Sequence, residues 1–335
     1  MNQSNLKILL TEYEKKRLYA IYEAEKRKDD LYTANPKLQE IDDLLSKEAI
    51  NVSKKMLACK DPNLLNSLNQ KIEILKKSKL DLLKSLGKDE YYLKPQYDCS
   101  ICKDTGYITQ NYTSTMCNCL KQKLFNIEYN KSNIFNLDKD NFDNFSFNLY
   151  SDEINKEKYK SNISPKRNME LIKNICTSFI DNFNDSNEKN ILFTGNTGLG
   201  KTFLSNCIAN EILKSGKTVL YQTAPVMLDT IMDYRFGKEG SSKDIYDNLL
   251  SVDLLIIDDL GTECMNNMKF SELFNIINTR LLNSNKKITK TIISTNLSLD
   301  NLFSVYDERI VSRIVGNYNI CYFFGEDIRF KKNKK

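Results

Sequence analysis

The chain has 335 residues, 41% hydrophobic and 28% charged, with a formal net charge of +5; this allows two or three domains with a sizeable core, and the charge is too mild to imply nucleic acid by itself. No apolar run approaches the ~18 residues of a membrane span, and the polar opening Met1-Asn2-Gln3-Ser4-Asn5 lacks the basic-then-apolar layout of a signal peptide, so a soluble, cytoplasmic protein without membrane contact is expected. Histidine is absent, which excludes a Ser-His-Asp triad, a histidine general base and histidine metal ligands.

From about Leu6 to Leu86 the chain is rich in Lys, Glu, Leu and Asp, with Pro36 and Pro62 where helices would turn. This predicts a helical hairpin or three-helix module within residues 1–93. Leu65, Leu68, Ile72, Leu75, Leu82 and Leu86 recur on three- and four-residue steps, interrupted by Lys79. Such a stripe must bury itself, either in an internal helix–helix core or against a partner protein.

Residues 94–132 carry Cys99-Ser100-Ile101-Cys102 and, after a polar turn, Cys117-Asn118-Cys119. Four thiolates arriving as two close pairs can close a tetrahedral Zn²⁺ shell, and Gly106 lets the backbone bend. An iron–sulfur cluster and a redox dithiol are the competing readings. Cys59, Cys176, Cys207, Cys264 and Cys321 are scattered, the pattern of ordinary buried thiols.

Residues 133–166 are polar and Asn-rich, with Phe142, Phe145, Phe147 and Tyr150, and read as an extended linker. From 167 to 335 strand and helix patterns alternate. Strands are expected at Asn190–Thr194, Thr218–Gln222, Leu254–Asp258, Thr291–Thr295 and Ile320–Phe324, and helices at Met169–Phe183, Lys201–Lys214, Phe270–Asn283 and Glu308–Val315. The alternation predicts an α/β fold with a parallel sheet flanked by helices.

The first strand runs into Gly195-Asn196-Thr197-Gly198-Leu199-Gly200-Lys201-Thr202, the G-x-x-x-x-G-K-T spacing of a phosphate-binding loop. Its glycines let successive N–H groups face a phosphate, Lys201 reaches the β- and γ-phosphates, and the Thr202 hydroxyl can ligate Mg²⁺. A later apolar strand ends in Asp258-Asp259. Asp258 is the expected Mg²⁺-side acid, and Asp259 is placed to orient or deprotonate the attacking water; being one methylene shorter than glutamate, it points to slow turnover. Asn296, closing the strand Ile292-Ile293-Ser294-Thr295-Asn296, can hydrogen-bond that water or the γ-phosphate. Arg309 and Arg313 share one face of a helix, from which one of them can reach a neighbouring subunit's γ-phosphate.

The phosphate loop, Ile256-Ile257-Asp258-Asp259-Leu260-Gly261-Thr262-Glu263, Ser294-Thr295-Asn296 and Glu308-Arg309-Ile310-Val311-Ser312-Arg313-Ile314 occur in this order. In this the chain resembles the AAA+ ATPases of the DnaC/DnaI/IstB group over roughly Phe142 to Phe330. The helical front and cysteine module look like those of a bacterial replicative helicase loader. By that resemblance Asn296 is sensor 1, Arg313 the arginine finger with Arg309 as fallback, and Arg329 the sensor 2 arginine. The helices between the two nucleotide motifs, Met227–Phe236 here, would contact DNA, with Tyr234, Arg235 and Phe236 offering base stacking beside a phosphate-pairing guanidinium. Some loaders use a histidine in the zinc knuckle, so either the Cys₄ set suffices here or the site is different. The resemblance implies ATP, Mg²⁺ and Zn²⁺ as cofactors, and as partners a DnaB-type replicative DNA helicase, single-stranded DNA and further copies joined through the ATPase domain. Two other readings stand beside an ATP-switched loader: a transposition helper ATPase of the IstB kind, and an ATP-binding adaptor without useful hydrolysis.

Overall fold

The computed structural model describes residues 3–58, 62–128, 139–238, 243–283 and 287–332, the side chains of 3, 53, 55–69, 128, 331 and 332 excepted. Contacts divide the chain into Ile8–Thr115 on one side and Met1–Lys7 with Met116–Lys335 on the other.

Good helix formers and scarce glycine make the front of the chain helical: α1 (Gln3–Ala34), α2 (Pro36–Ala58) and α3 (Pro62–Ser85). Pro36 and Pro62 open their helices, where a missing N–H costs nothing. On α1, Leu9, Tyr13, Ala20 and Ala24 form the buried stripe, and Leu38 and Leu83 are buried on α2 and α3. Lys79, the interruption in the α3 stripe, faces α2, where its ammonium lies 2.6 and 2.8 Å from the Asp42 carboxylate oxygens. The Tyr32 hydroxyl donates to the same carboxylate. The described members of the stripe, Ile72, Leu75, Leu82 and Leu86, are half-buried. Leu65 and Leu68 lie where side chains are not described, and Cys59 lies outside the described residues. The segment after α3 returns along α1, tied by Arg27 to the Tyr92 carbonyl at 3.0 Å and by Lys16 to Asp98 at 2.6 Å.

A short hairpin, β1 (Tyr107–Gln110) and β2 (Thr113–Met116), leads into α4 (Asn118–Glu128). The region read as a linker contains two short 3₁₀ turns, Phe142–Asn144 and Phe147–Leu149, and α5 (Lys156–Tyr159). Beyond them come α6 (Pro165–Asp181), β3 (Asn190–Gly195), α7 (Lys201–Lys214), β4 (Val219–Thr223), α8 (Ala224–Arg235), α9 (Lys243–Ser251), β5 (Leu254–Leu260), α10 (Asn267–Asn283), β6 (Lys290–Thr295), α11 (Leu299–Val305), α12 (Glu308–Asn317), β7 (Tyr318–Phe323) and α13 (Arg329–Lys332). The five strands β3 to β7 form a sheet of order β4-β5-β6-β3-β7, parallel throughout. Expected and observed strands differ by one or two residues. The largest shift is at β7, which begins at Tyr318 because α12 runs straight into it and buried Tyr318 pairs with Asn190.

Alternation along each strand serves two cores. Leu192, Leu220, Leu255, Ile257 and Ile293 point into one, with α8, α9, α10 and α12. Ile191, Phe193, Tyr221, Leu254, Ile256 and Ile292 point into the other, with α6 and α7. Both faces covered by helix is what a parallel sheet requires. Among the described residues no helix is long and apolar enough to cross a membrane.

Candidate functional site

The carboxyl ends of β3, β5 and β6 meet at one cleft, the position where open parallel sheets take ligands. β3 delivers the phosphate loop, whose helix α7 starts at Lys201 behind left-handed Gly200. Gly198 has φ +73°, and a Cβ there would lie 2.1 Å from the Asp327 carboxylate; at Gly200, φ +98°, it would lie 2.8 Å from the Tyr150 hydroxyl. Only glycine fits either approach. The cleft encloses 710 Å³ and is lined by residues 197–203, Asp259, Thr262, Asn296, Ile328 and Arg329, with residues 144–146, Leu149 and Tyr150 on another wall.

Lys201 is 6% exposed. Its ammonium donates to the carbonyls of Gly195 at 2.6 Å and Asn196 at 2.8 Å, and to Asn296 Oδ1 at 2.8 Å. Burial holds its pKa below the usual lysine value, against the pull of Asp259 and Asp258. The Thr202 hydroxyl stands 3.4 Å from Asp258 Oδ2. Two oxygens bound side by side on Mg²⁺ at about 2.1 Å sit about 3 Å apart, so this hydroxyl and carboxylate fit one shared cation.

Asp258 is itself held. Its Oδ2 accepts from the Tyr221 hydroxyl at 2.5 Å, and its Oδ1 accepts from the Ser294 hydroxyl and from the Asp259 backbone N–H at 3.1 Å. Asp259 adopts φ +54°, inside the irregularity that interrupts the β5–β6 register between Ile257 and Leu260. That bulge turns Asp259 out of the alternation and onto the cleft wall. Burial and then the neighbouring Asp258 raise its pKa above the usual aspartate value, while Lys201 and Asn296 pull it back. Arg329 lines the same cleft, its guanidinium 2.6 Å from Asp327 Oδ2.

The cleft therefore brings together Gly195–Thr202, Asp258, Asp259, Asn296 and Arg329. It does not include Arg309 or Arg313. Both lie on α12 with their guanidinium groups over Phe274, at 5.6 and 4.5 Å from the ring centre. Arg309 pairs with Asp307 and Arg313 donates to Asn278 Oδ1 at 2.8 Å. Tyr234, Arg235 and Phe236 close α8. Arg235 commits its guanidinium to Glu272 at 2.7 and 3.1 Å, with Tyr246 and Tyr234 stacked beside it, and Phe236 is 70% exposed. The sequence alone gives Tyr221, Ser294 and Asp327 no role of their own, and Tyr150 only a place in the aromatic cluster of the linker. A tyrosine in the middle of a fully buried strand, needing a partner for its hydroxyl, is the one local signal among them.

In the cysteine module the four sulfurs of Cys99, Cys102, Cys117 and Cys119 lie within 4.8 Å of one another. A tetrahedron of Zn–S bonds of about 2.3 Å spaces its sulfurs by about 3.8 Å, so the set fits a single ion. Left-handed Lys103 and Asp104 turn the chain between the pairs, and the Asp104 carboxylate accepts from the N–H groups of Asp98 and Cys99, both at 2.9 Å. Of the scattered cysteines, Cys176, Cys207 and Cys321 are buried. Cys264 is exposed, contrary to expectation, because it sits in the loop after β5 rather than on a core face.

Known proteins similar to this chain include replicative helicase loaders. The replicative helicase loader DnaC of Escherichia coli (strain K12) is 30% identical over 141 residues, covering 42% of this chain and 55% of that protein. The DnaC of Buchnera aphidicola subsp. Baizongia pistaciae is 29% identical over 155 residues, covering 46% and 61%. The chain thus spans little more than half the length of these curated relatives. A crystal structure of the DnaC helicase loader aligns at 23% identity over 47% of this chain and 90% of that one, with a TM-score of 0.41. The family model described as IstB-like ATP binding protein matches residues 153–335, more than half of the chain, and the chain belongs to that family.

Proposed function

We propose that the protein is an ATP-switched loader that delivers a DnaB-type replicative helicase to single-stranded DNA during replication initiation. The observation that carries the nucleotide half of this reading is the convergence of Lys201, Thr202, Asp258, Asp259 and Asn296 at one cleft. Lys201 exchanges the Gly195 and Asn196 carbonyls for the β- and γ-phosphates, and loop N–H groups take the phosphate oxygens. Thr202 and Asp258 would hold Mg²⁺, which neutralises phosphate charge when bound. Asp259 and Asn296 orient the water, and the raised pKa of Asp259 suits a base. Arg329 leaves Asp327 to reach the triphosphate from the same chain. Because Arg309 and Arg313 stand outside the cleft, they serve a neighbouring copy, Arg313 as the finger and Arg309 as fallback, so turnover depends on self-association.

The loader half rests on the likeness to proteins named replicative helicase loader DnaC. Residues 1–93 are the helicase-docking module, 94–132 a Zn²⁺ knuckle, 133–166 the connection and 167–335 the ATPase domain. The DNA contact falls to the α8 end, where Phe236 stacks on a base once Arg235 is shared between Glu272 and a phosphate. Hydrolysis with and without single-stranded DNA, together with co-purification of a hexameric replicative helicase, tests both halves. Unchanged turnover in Lys201→Ala would refute the first, and failure to retain helicase would refute the second.

A further inference from the structure

The segment before the ATPase core does more than connect. Its two 3₁₀ turns direct Phe142, Phe145 and Phe147 at a single lysine of α6. The Lys173 ammonium lies 5.9 Å from the Phe142 ring centre, 5.6 Å from Phe145 and 5.3 Å from Phe147. Three rings within about 6 Å of one cation make an aromatic cage. Phe145 also packs on Phe203 at 6.0 Å and is stacked on Tyr150 at 6.1 Å. Phe145, Tyr150 and Phe203 all line the phosphate-loop cleft. The Tyr150 hydroxyl donates to the Leu199 carbonyl inside the loop at 3.0 Å, and Asn206 of α7 donates to Asp140 at 2.8 Å.

We infer that Lys173 is a positioning residue: its caged charge seats residues 139–150 as a strap that forms the wall of the nucleotide cleft away from the phosphates. Resting on the nucleotide reading above, this inference assigns the strap to the base and ribose of the ligand, while residues 195–202 take the triphosphate. Loss of the charge unseats Phe145 and the wall with it, yet leaves the loop glycines and Lys201 in place. Binding of a nucleotide then suffers, and binding of a bare polyphosphate does not.

The test measures binding of ATP and of inorganic tripolyphosphate, each with Mg²⁺, to the full chain and to Lys173→Met and Lys173→Arg. Methionine keeps the length and removes the cation; arginine keeps the cation–ring contact. The inference expects Lys173→Met to weaken ATP binding about five- to tenfold, with tripolyphosphate unchanged and ATP affinity restored in Lys173→Arg. Equal ATP affinity in wild type and Lys173→Met would overturn it, as would parallel losses for both ligands. A wild-type chain that bound neither ligand would overturn the nucleotide reading and this inference together.

Discussion

The hydroxyl of Tyr221 offers a sharp test of how the acidic strand end is held. Tyr221 is 1% exposed and Asp258 5% exposed. In Tyr221→Phe, Asp258 Oδ2 loses a donor at 2.5 Å and, among the described residues, keeps Thr202 at 3.4 Å. A buried hydrogen bond to a charged group contributes about 1.5–3 kcal/mol, and phenylalanine fills the same space, so the loss is one of polar satisfaction rather than packing. Denaturant unfolding without nucleotide should therefore show a deficit of about 1.5–3 kcal/mol, as a lower midpoint at unchanged slope. Adding Mg²⁺ and ATP should narrow it, because a cation at Oδ2 supplies what the hydroxyl supplied. Coincident midpoints without nucleotide would refute the idea that Tyr221 holds Asp258. A deficit that persisted in full with Mg²⁺ and ATP would refute the shared cation position.

Burial and Asp258 raise the pKa of Asp259, so its ionised form is disfavoured in the folded chain. Its contribution to stability is present below the usual aspartate pKa and is lost as pH rises through the raised folded value. Asp259→Asn, which also tolerates the left-handed backbone, should therefore raise the melting temperature of the nucleotide-free protein at neutral pH while depressing turnover. A lowered melting temperature would contradict that assignment. Metal analysis of the purified chain should find one zinc, and chelation should lower the melting temperature, since closing the Cys₄ set contributes folding free energy. Zinc-free protein with full stability would exclude the knuckle. Removal of residues 1–93 should abolish helicase co-purification while nucleotide binding survives, and a surviving complex would place the docking surface elsewhere.

Much of the ATP-binding half is legible in the sequence because its signals are local. Apolar runs ending at Gly195, Asp258 and Thr295 mark strands whose carboxyl ends must meet in a parallel sheet, and α7 spans Lys201–Lys214 as its pattern predicts. Residues whose role depends on cross-strand register are harder to see. Ser294 stands near the end of the strand Ile292-Ile293-Ser294-Thr295-Asn296, yet only the arrangement of β5 beside β6 brings its hydroxyl to Asp258. Tyr221 meets the same carboxylate through pairing of β4 with β5. The strap at 139–150 lacks either hydrophobic period, so it reads as a linker until its rings are seen around Lys173. Likewise, Arg235 looks available in sequence, and its commitment to Glu272, 37 residues away, is a tertiary fact.

The most direct measurement is a loading assay: a hexameric replicative helicase, a circular single-stranded DNA carrying an annealed oligonucleotide, and the full chain, with strand displacement as the readout. ATP and the wild-type chain should together produce displacement, and Lys201→Ala should retain helicase binding yet fail to release active helicase onto the circle. Equal displacement with Lys201→Ala, or with the chain omitted, would contradict an ATP-switched loader.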